Sequence, residues 1–481
     1  MVYQGPSKGC NSCRQRRKKC DETRPSCMRC MNAKRQCGGY EADVMGYRHY
    51  GAPSTSNQSS SQVSTARKCT LPKRVPIPGT DILPEDKIPS ETTLEESKAL
   101  SLRAFYYDFC ITSTNQNLSR GFLPGLERMV NRLGPKSDLA KVCQAVACAC
   151  HSKPQHRPQF VKRADTSYQQ LLGSLARKIE NTSSAVDAES RLVAMLLGLY
   201  QMVIADKTDP GVHEIHAKGL STLMKIENSP LSFLRPSIDF SSQGLLKIDQ
   251  GPGIFSVPTL STAGPSLDDL LLDLDTIWHS FQASASLQDL SKLDVECTHL
   301  ERRFGEWQKC RVQEFRPVPI RKIDYGQDNP EFLVGYWPGT VDTYIDLYVA
   351  GVWNIFRTAR LLLFSIQMQI YNLVGNNEQC SQAFSTAIQM VEHVFASIPY
   401  QLADNLPVFI DGIDSRAAID PGKSIGGLLL MHPLYAISKM PFLPVNMRQY
   451  ARNCLIWIGG EMGIGQAGLM AEVIEVILVF Y

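Results

Sequence analysis

The residues of this chain that could do chemistry are concentrated near its N-terminus. The stretch CNSCRQRRKKCDETRPSCMRCMNAKRQC holds six of the fifteen cysteines of the 481-residue chain. They form two halves with the same spacing, C-x2-C-x6-C: Cys10, Cys13 and Cys20, then Cys27, Cys30 and Cys37. Two intervening residues let both thiolates of a pair bind one metal ion. A repeat this regular predicts a metal site.

Six thiolates can bind two zinc ions if two of them bridge. A tetrahedral zinc takes four thiolates, so a single ion would leave two cysteines over. The first cysteine of each half is the symmetric choice for a bridge. One ion would then be bound by Cys10, Cys13, Cys20 and Cys27, and the other by Cys10, Cys27, Cys30 and Cys37. A metallothionein-like store is an alternative, but it would need neither the strict repeat nor the basic residues around it.

The same stretch is strongly basic. Nine Arg and Lys residues stand against Asp21 and Glu22, a local charge of +7, whereas the net charge of the whole chain is +3. The other residues therefore sum to −4. A small basic segment attached to a mildly acidic body indicates a head that binds a polyanion.

Short helices and a turn must position these residues. The segments RQRRKK and MNAKRQ follow the second cysteine of each half and contain neither Gly nor Pro. They are rich in good helix formers, so each predicts a short helix that ends near its third cysteine. Pro25 lies in the connector DETRPS, where it can turn the chain without breaking either helix.

The stretch resembles the fungal zinc binuclear cluster (Zn2Cys6) DNA-binding domain. It fits the family spacing with a six-residue loop between the halves, and CRQRRKKC stands where the family has CRxRKxKC. Arg17 takes a position where Lys is commoner. The resemblance implies two Zn²⁺ ions in the bridged arrangement, a nuclear location, and recognition of a CGG-type triplet in the major groove of double-stranded DNA.

The resemblance also implies roles for the basic residues. Arg17 matches the family's main base reader, with Lys18 beside it, and either side chain can hydrogen-bond O6 and N7 of guanine. Phosphate contacts position a protein without specifying sequence. We expect such contacts from Arg14, Arg16 and Lys19 in the first half and from Lys34 and Arg35 in the second. A zinc module that binds only protein is the alternative function.

Composition predicts three regions. We expect the zinc cluster domain at residues 1–37, a flexible low-complexity linker at 38–93, and a large helical body at 94–481. The linker is rich in Gly, Ser, Thr, Asn and Gln and shows no heptads, so a homodimer would have to form through the body. No uncharged apolar run reaches the roughly 18 residues of a membrane span, and no membrane partner is expected.

The body is predicted to be an all-α regulatory domain. Apolar residues recur at helical spacing from Leu267 to Phe281 and from Leu347 to Leu361, with irregular loops expected at 228–266 and 316–341. DLYVAGVWNIFRTARLLL and LLLMHPLYAISKMP resemble the regulatory region of these fungal factors. That resemblance implies control of the head by a small-molecule ligand or a co-regulator, and a role in regulating a specialised-metabolite gene cluster.

Enzyme motifs in the body are incomplete. GIGQAG, from Gly463 to Gly468, fits GxGxxG, but a dinucleotide site also needs a preceding strand and a later acidic residue. GKS at Gly422 lacks the earlier glycine of a P-loop, and His213 and His216 do not have the spacing of H-E-x-x-H. We therefore predict a regulator of RNA polymerase II transcription that is not an enzyme. Three irregularly spaced cysteines are expected to be small core residues: Cys143, Cys148 and Cys150.

Overall fold

The chain divides into two units, residues 1–99 and 100–481, in a computed structural model. The structure describes residues 13, 20, 28–33, 94–152, 158–180, 188–206, 239–240, 246–247, 266–283, 287–324 and 333–472. Helix α1 is Met28–Asn32. Helix α2 is Leu94–Phe109.

The second unit is mostly helical, as predicted. Its first group of helices comprises α3 (Leu126–Leu133), α4 (Asp138–Ser152), α5 (Pro158–Glu180) and α6 (Ala188–Ile204). Helix α4 packs against α5 and α6. Its small and apolar residues, DLAKVCQAVACAC, allow it to be buried along most of its length. The three α4 cysteines lie inside this packing, so the prediction that they are core residues is confirmed: Cys143, Cys148 and Cys150.

A second group of helices builds the larger core. It comprises α7 (Leu267–Ala283), α8 (Leu287–Lys309), α9 (Leu347–Val374), α10 (Asn377–Ala396), α11 (Ile398–Leu402), α12 (Leu406–Asp411), α13 (Ser424–Lys439), α14 (Val445–Glu461) and α15 (Gly465–Glu472). The predicted helices in α7 and α9 are confirmed. Two single 3₁₀ turns, Gln313–Phe315 and Ile413–Ser415, lie between them.

Helix α9 is the centre of this core. It packs against α7, α8, α10, α11 and α13. The Asp346 side chain accepts a hydrogen bond from the Val349 N–H at 2.9 Å, which caps the first turn. By length and composition α9 is the one helix of the described chain that could cross a membrane, but its apolar window is entirely buried inside the body. It is therefore packed as a core helix.

Burial of α9 extends to polar side chains that the apolar pattern does not single out. The Arg357 guanidinium is buried and donates to the Tyr344 hydroxyl at 2.9 Å and to Asn354 Oδ1 at 2.8 Å. The Asn354 amide in turn donates to Ser397 Oγ at 2.8 Å and to Gln401 Oε1 at 3.0 Å. These bonds join α9 to α11 and offset the cost of burying the polar groups.

The prediction of an irregular loop over 316–341 is wrong in part. Strand β3, Val318–Ile323, pairs antiparallel with strand β4, Gly339–Thr343. The register shifts between Pro319 and Arg321, at a bulge. A proline has no N–H to donate to the ladder, so within a sheet it is tolerated only at edges and bulges such as this one. Its presence therefore argues against a strand when only the sequence is considered. Within the other predicted loop, β1 (Asp239–Phe240) and β2 (Leu246–Lys247) also pair antiparallel.

The GIGQAG motif forms a turn between two helices. Helix α14 ends at Glu461 and α15 begins at Gly465, so a helix and not a strand precedes the glycines. Gly463 has a φ of +75°, and a Cβ there would lie 2.1 Å from the Cys150 carbonyl oxygen. The motif is therefore a close-packed connection between two helices and not a dinucleotide-binding turn.

Candidate metal centre

The described part of the first unit brings two of the six predicted zinc ligands together. Cys13 lies in helical backbone and Cys30 lies in α1. Their side chains are 4% and 2% exposed, and their Sγ atoms are 3.9 Å apart. The two residues occupy equivalent positions in the two C-x2-C-x6-C halves. The structure therefore brings the second cysteines of the two halves together.

This geometry fits a thiolate metal site. Two sulfurs bound to one tetrahedral zinc, with Zn–S bonds of about 2.3 Å, lie about 3.8 Å apart. Both cysteines are free of disulfides, and Cys20 is half-buried. The bridged arrangement assigns Cys13 and Cys30 to different ions, whereas their separation is that of two ligands on one ion. The remaining ligands, Cys10, Cys27 and Cys37, lie outside the described residues, so the grouping stays a prediction.

The helix of the second half begins earlier than predicted. The sequence places it over MNAKRQ, after Cys30, but α1 runs from Met28 to Asn32. Because Met28 and Arg29 are themselves good helix formers, the helix extends towards Cys27. As a result Cys30 lies within the helix, where its thiol is buried, while Arg29 is exposed. In this helical turn the Cys30 thiol is therefore shielded from solvent and the Arg29 side chain is exposed to it.

The predicted DNA contacts cannot be located in the same way. The candidate residues all lie outside the described part of the chain: Arg14, Arg16, Arg17, Lys18, Lys19, Lys34 and Arg35. His213 and His216 lie outside it as well. The assignments of base and phosphate contacts therefore stay predictions.

Three thiols of the second unit are not activated: Cys110, Cys143 and Cys297. Burial raises the pKa of Cys110 to about 12 and that of Cys297 to about 12. Burial also raises the pKa of the Cys143 thiol well above its ordinary value. Thiols with raised pKa values stay protonated and are poor nucleophiles and metal ligands. Among the described residues, no group of three or more His, Cys, Asp or Glu side chains could hold a metal.

Comparison with known proteins agrees with this centre. The fungal Zn(2)-Cys(6) binuclear cluster domain matches residues 8–45. The chain is 39% identical to the transcription factor dbaG of Emericella nidulans over 401 residues, 81% of this chain and 95% of that protein. It is 38% identical to an uncharacterized transcriptional regulatory protein of Schizosaccharomyces pombe over 64 residues, 13% of this chain and 10% of that one. No solved structure matches.

The thiolate repeat, its basic surroundings and the helical body together define a zinc-dependent regulator. The chain belongs to the fungal Zn(2)-Cys(6) transcription factors. It is a DNA-binding regulator of transcription and not an enzyme, and its family functions in the nucleus. In such a domain zinc supplies folding free energy by cross-linking the thiolates.

Proposed function

We propose that the N-terminal region reads a CGG-type triplet in duplex DNA through a cluster of two zinc ions and six thiolates. The observation that carries the proposal is the doubled C-x2-C-x6-C spacing around the basic segment RQRRKK. Cys10 and Cys27 bridge the ions. The proximity of Cys13 and Cys30 supports a cluster made by both halves together.

The basic side chains divide between bases and phosphates. Five basic residues within RQRRKK, at about 100° per residue, cannot all face one groove. Arg17, with Lys18 beside it, hydrogen-bonds guanine O6 and N7 in the major groove. The phosphate contacts come from Arg14, Arg16, Lys19, Lys34 and Arg35.

The body provides assembly and control. A single triplet is too short to define a site, so a homodimer on paired triplets would supply the specificity. Because the linker shows no heptads, we assign the dimer interface to the helical second unit. The relative in Emericella nidulans covers 81% of this chain and is named a transcription factor, which supports a regulatory body. The target we propose is a specialised-metabolite gene cluster.

Binding of the full zinc-loaded chain to labelled duplexes tests the reading of DNA. The expected result is tighter binding to a duplex with paired CGG triplets than to a scrambled duplex, and loss of that preference with a chelator. Arg17→Ala should cost about 1–3 kcal/mol on the CGG duplex and little on scrambled DNA. The matched variant Lys19→Ala should weaken both alike and reduce the salt slope by about one.

Equal weakening of both duplexes by Arg17→Ala would contradict the assignment of that residue to a base. The alternative is a zinc-dependent module that binds protein and has no DNA specificity of its own. It predicts no difference between CGG and scrambled duplexes at any salt concentration.

A further inference from the structure

A tight connection between α9 and α10 creates a concave site on the body. Only Gly375 and Asn376 separate the two helices. Gly375 has a φ of +78° and its N–H bonds the Tyr371 carbonyl, while the Asn376 side chain accepts from the Gln379 N–H. The last turns of α9 therefore lie against the first turns of α10.

The segment between α13 and α14 closes a third side. Pro441 and Phe442 from that segment line a cavity of about 430 Å³ together with α9 and α10. Its volume falls within the range of about 300–1,000 Å³ typical of small-molecule sites. Along α9 the lining runs from Ser365 to Asn372, about 10 Å at 1.5 Å per residue. This length suits a small molecule rather than an extended peptide.

The walls of the cavity are largely apolar and aromatic. Met368 supplies a thioether, and Phe384 and Phe442 supply rings. Phe384 is 36% exposed, so a bound ring would remove apolar surface from water. Thioether and aromatic groups suit a flat aromatic body. No Lys, Arg, Asp, Glu or His lines the cavity within the described residues, so it offers no counter-ion.

Two amides provide hydrogen-bonding groups at one edge. The Gln369 amide nitrogen donates to the Ser365 carbonyl at 3.3 Å, which leaves its carbonyl oxygen as an acceptor. Asn372 Oδ1 accepts from Cys380 Sγ at 3.3 Å, which leaves its amide nitrogen as a donor. A neutral ligand with one donor and one acceptor could satisfy both.

We propose that this cavity binds an uncharged, flat aromatic effector about 10 Å long that carries a hydrogen-bonding edge. The inference rests on the proposed role of the body in control. The effector contacts the last turns of α9, and α9 packs on five other helices. It can shift the equilibrium between two arrangements of these helices only by the difference in its affinity for them.

Fluorescence titration of the zinc-loaded full chain with 1-aminoanthracene tests the site. This neutral tricyclic amine brightens on entering an apolar site. We expect saturable binding of one probe per chain. Ser381→Trp, at an exposed position of α10 that lines the cavity, should fill it and weaken binding at least about tenfold, a change of about 1.4 kcal/mol. Gln382→Trp, exposed one residue further on and outside the lining, is the matched control and should bind like the parent.

The charge preference has its own test. Anthracene-1-carboxylate has the same ring frame but a negative charge, and the cavity has no counter-ion for it. It should bind at least about tenfold more weakly than the amine. Equal binding of the two probes would overturn the neutral class of ligand.

Two outcomes would overturn the site itself. One is equal 1-aminoanthracene binding by Ser381→Trp and the parent. The other is a sedimentation change caused by Ser381→Trp but not by Gln382→Trp, which would make this face a protein-docking surface. The titration contains no DNA, so its failure leaves the triplet-binding experiment unaffected, and failure of triplet binding leaves the titration valid.

Discussion

Gly463→Ala should destabilise the body through two separate effects. The residue has a φ of +75°, and an alanine in this left-handed region costs about 1–2 kcal/mol. The added Cβ would also lie 2.1 Å from the Cys150 carbonyl oxygen. Backbone cannot rotate away as a side chain could, so overpacking adds about 1–3 kcal/mol. The expected total is about 2–5 kcal/mol.

The surroundings hold this turn in place. Cys150 Sγ donates to the Met462 carbonyl at 3.1 Å, and Ser424 Oγ donates to the same carbonyl at 3.3 Å. The turn is thereby fixed to both α4 and α13. A shift that accommodates the methyl group must strain these buried bonds, so the penalty should not relax to zero.

Thermal unfolding of the full chain, followed by tryptophan fluorescence, measures the effect. All five tryptophans lie in the body. An unfolding entropy of about 0.8 kcal/mol/K for a body of this size converts 1 kcal/mol into about 1.2 °C, so Tm should fall by about 2–6 °C.

Gly460→Ala is the matched control. It lies in α14, and a Cβ there meets nothing within 4 Å. Replacing this helical glycine should raise stability by about 0.5–1 kcal/mol. If both variants shift Tm in the same direction by the same amount, the packing argument for the GIGQAG turn is refuted.

Two further changes test the zinc cluster and the first helical group. Native mass spectrometry of the isolated segment 1–45 should show two bound zinc ions, and a chelator should unfold the segment. A single bound zinc would refute the bridged cluster. Cys27→Ala should damage folding more than Cys37→Ala, because a bridging thiolate serves both ions. Burial alone would raise the pKa of Asp138, but hydrogen bonds from Ser174 and Lys141 and the charge of Lys178 lower it below its ordinary 3.8. Ionised Asp138 therefore stabilises the folded state above the pKa that it has in the unfolded chain. This contribution is lost as the pH falls through its lower pKa in the folded chain. Asp138→Asn should cost about 1 kcal/mol at pH 7 in urea unfolding and progressively less below pH 4; an equal cost at both pH values would contradict the ionic role.

The N-terminal chemistry could be predicted from the sequence because its ligands are local. Metal binding by C-x2-C depends on residues three positions apart, so spacing alone indicates a zinc site. The helical class of the body was accessible for a similar reason. A helix that buries one face repeats its apolar residues every 3.6 positions, which locates α7 and α9 without knowledge of their partners.

Tertiary structure decided what distant segments do to each other. Arginine side chains are mostly exposed in proteins, yet Arg357 is buried and donates hydrogen bonds to Tyr344 and Asn354 inside the core. Pro319 disfavours a strand on sequence grounds, but the structure accommodates it at the bulge in the pairing of β3 with β4. The cavity likewise combines the consecutive helices α9 and α10 with Phe442 from a later segment of the chain. Periodicity records which face of a segment is buried, but not which segment covers it, because that depends on packing between segments that the local pattern does not relate.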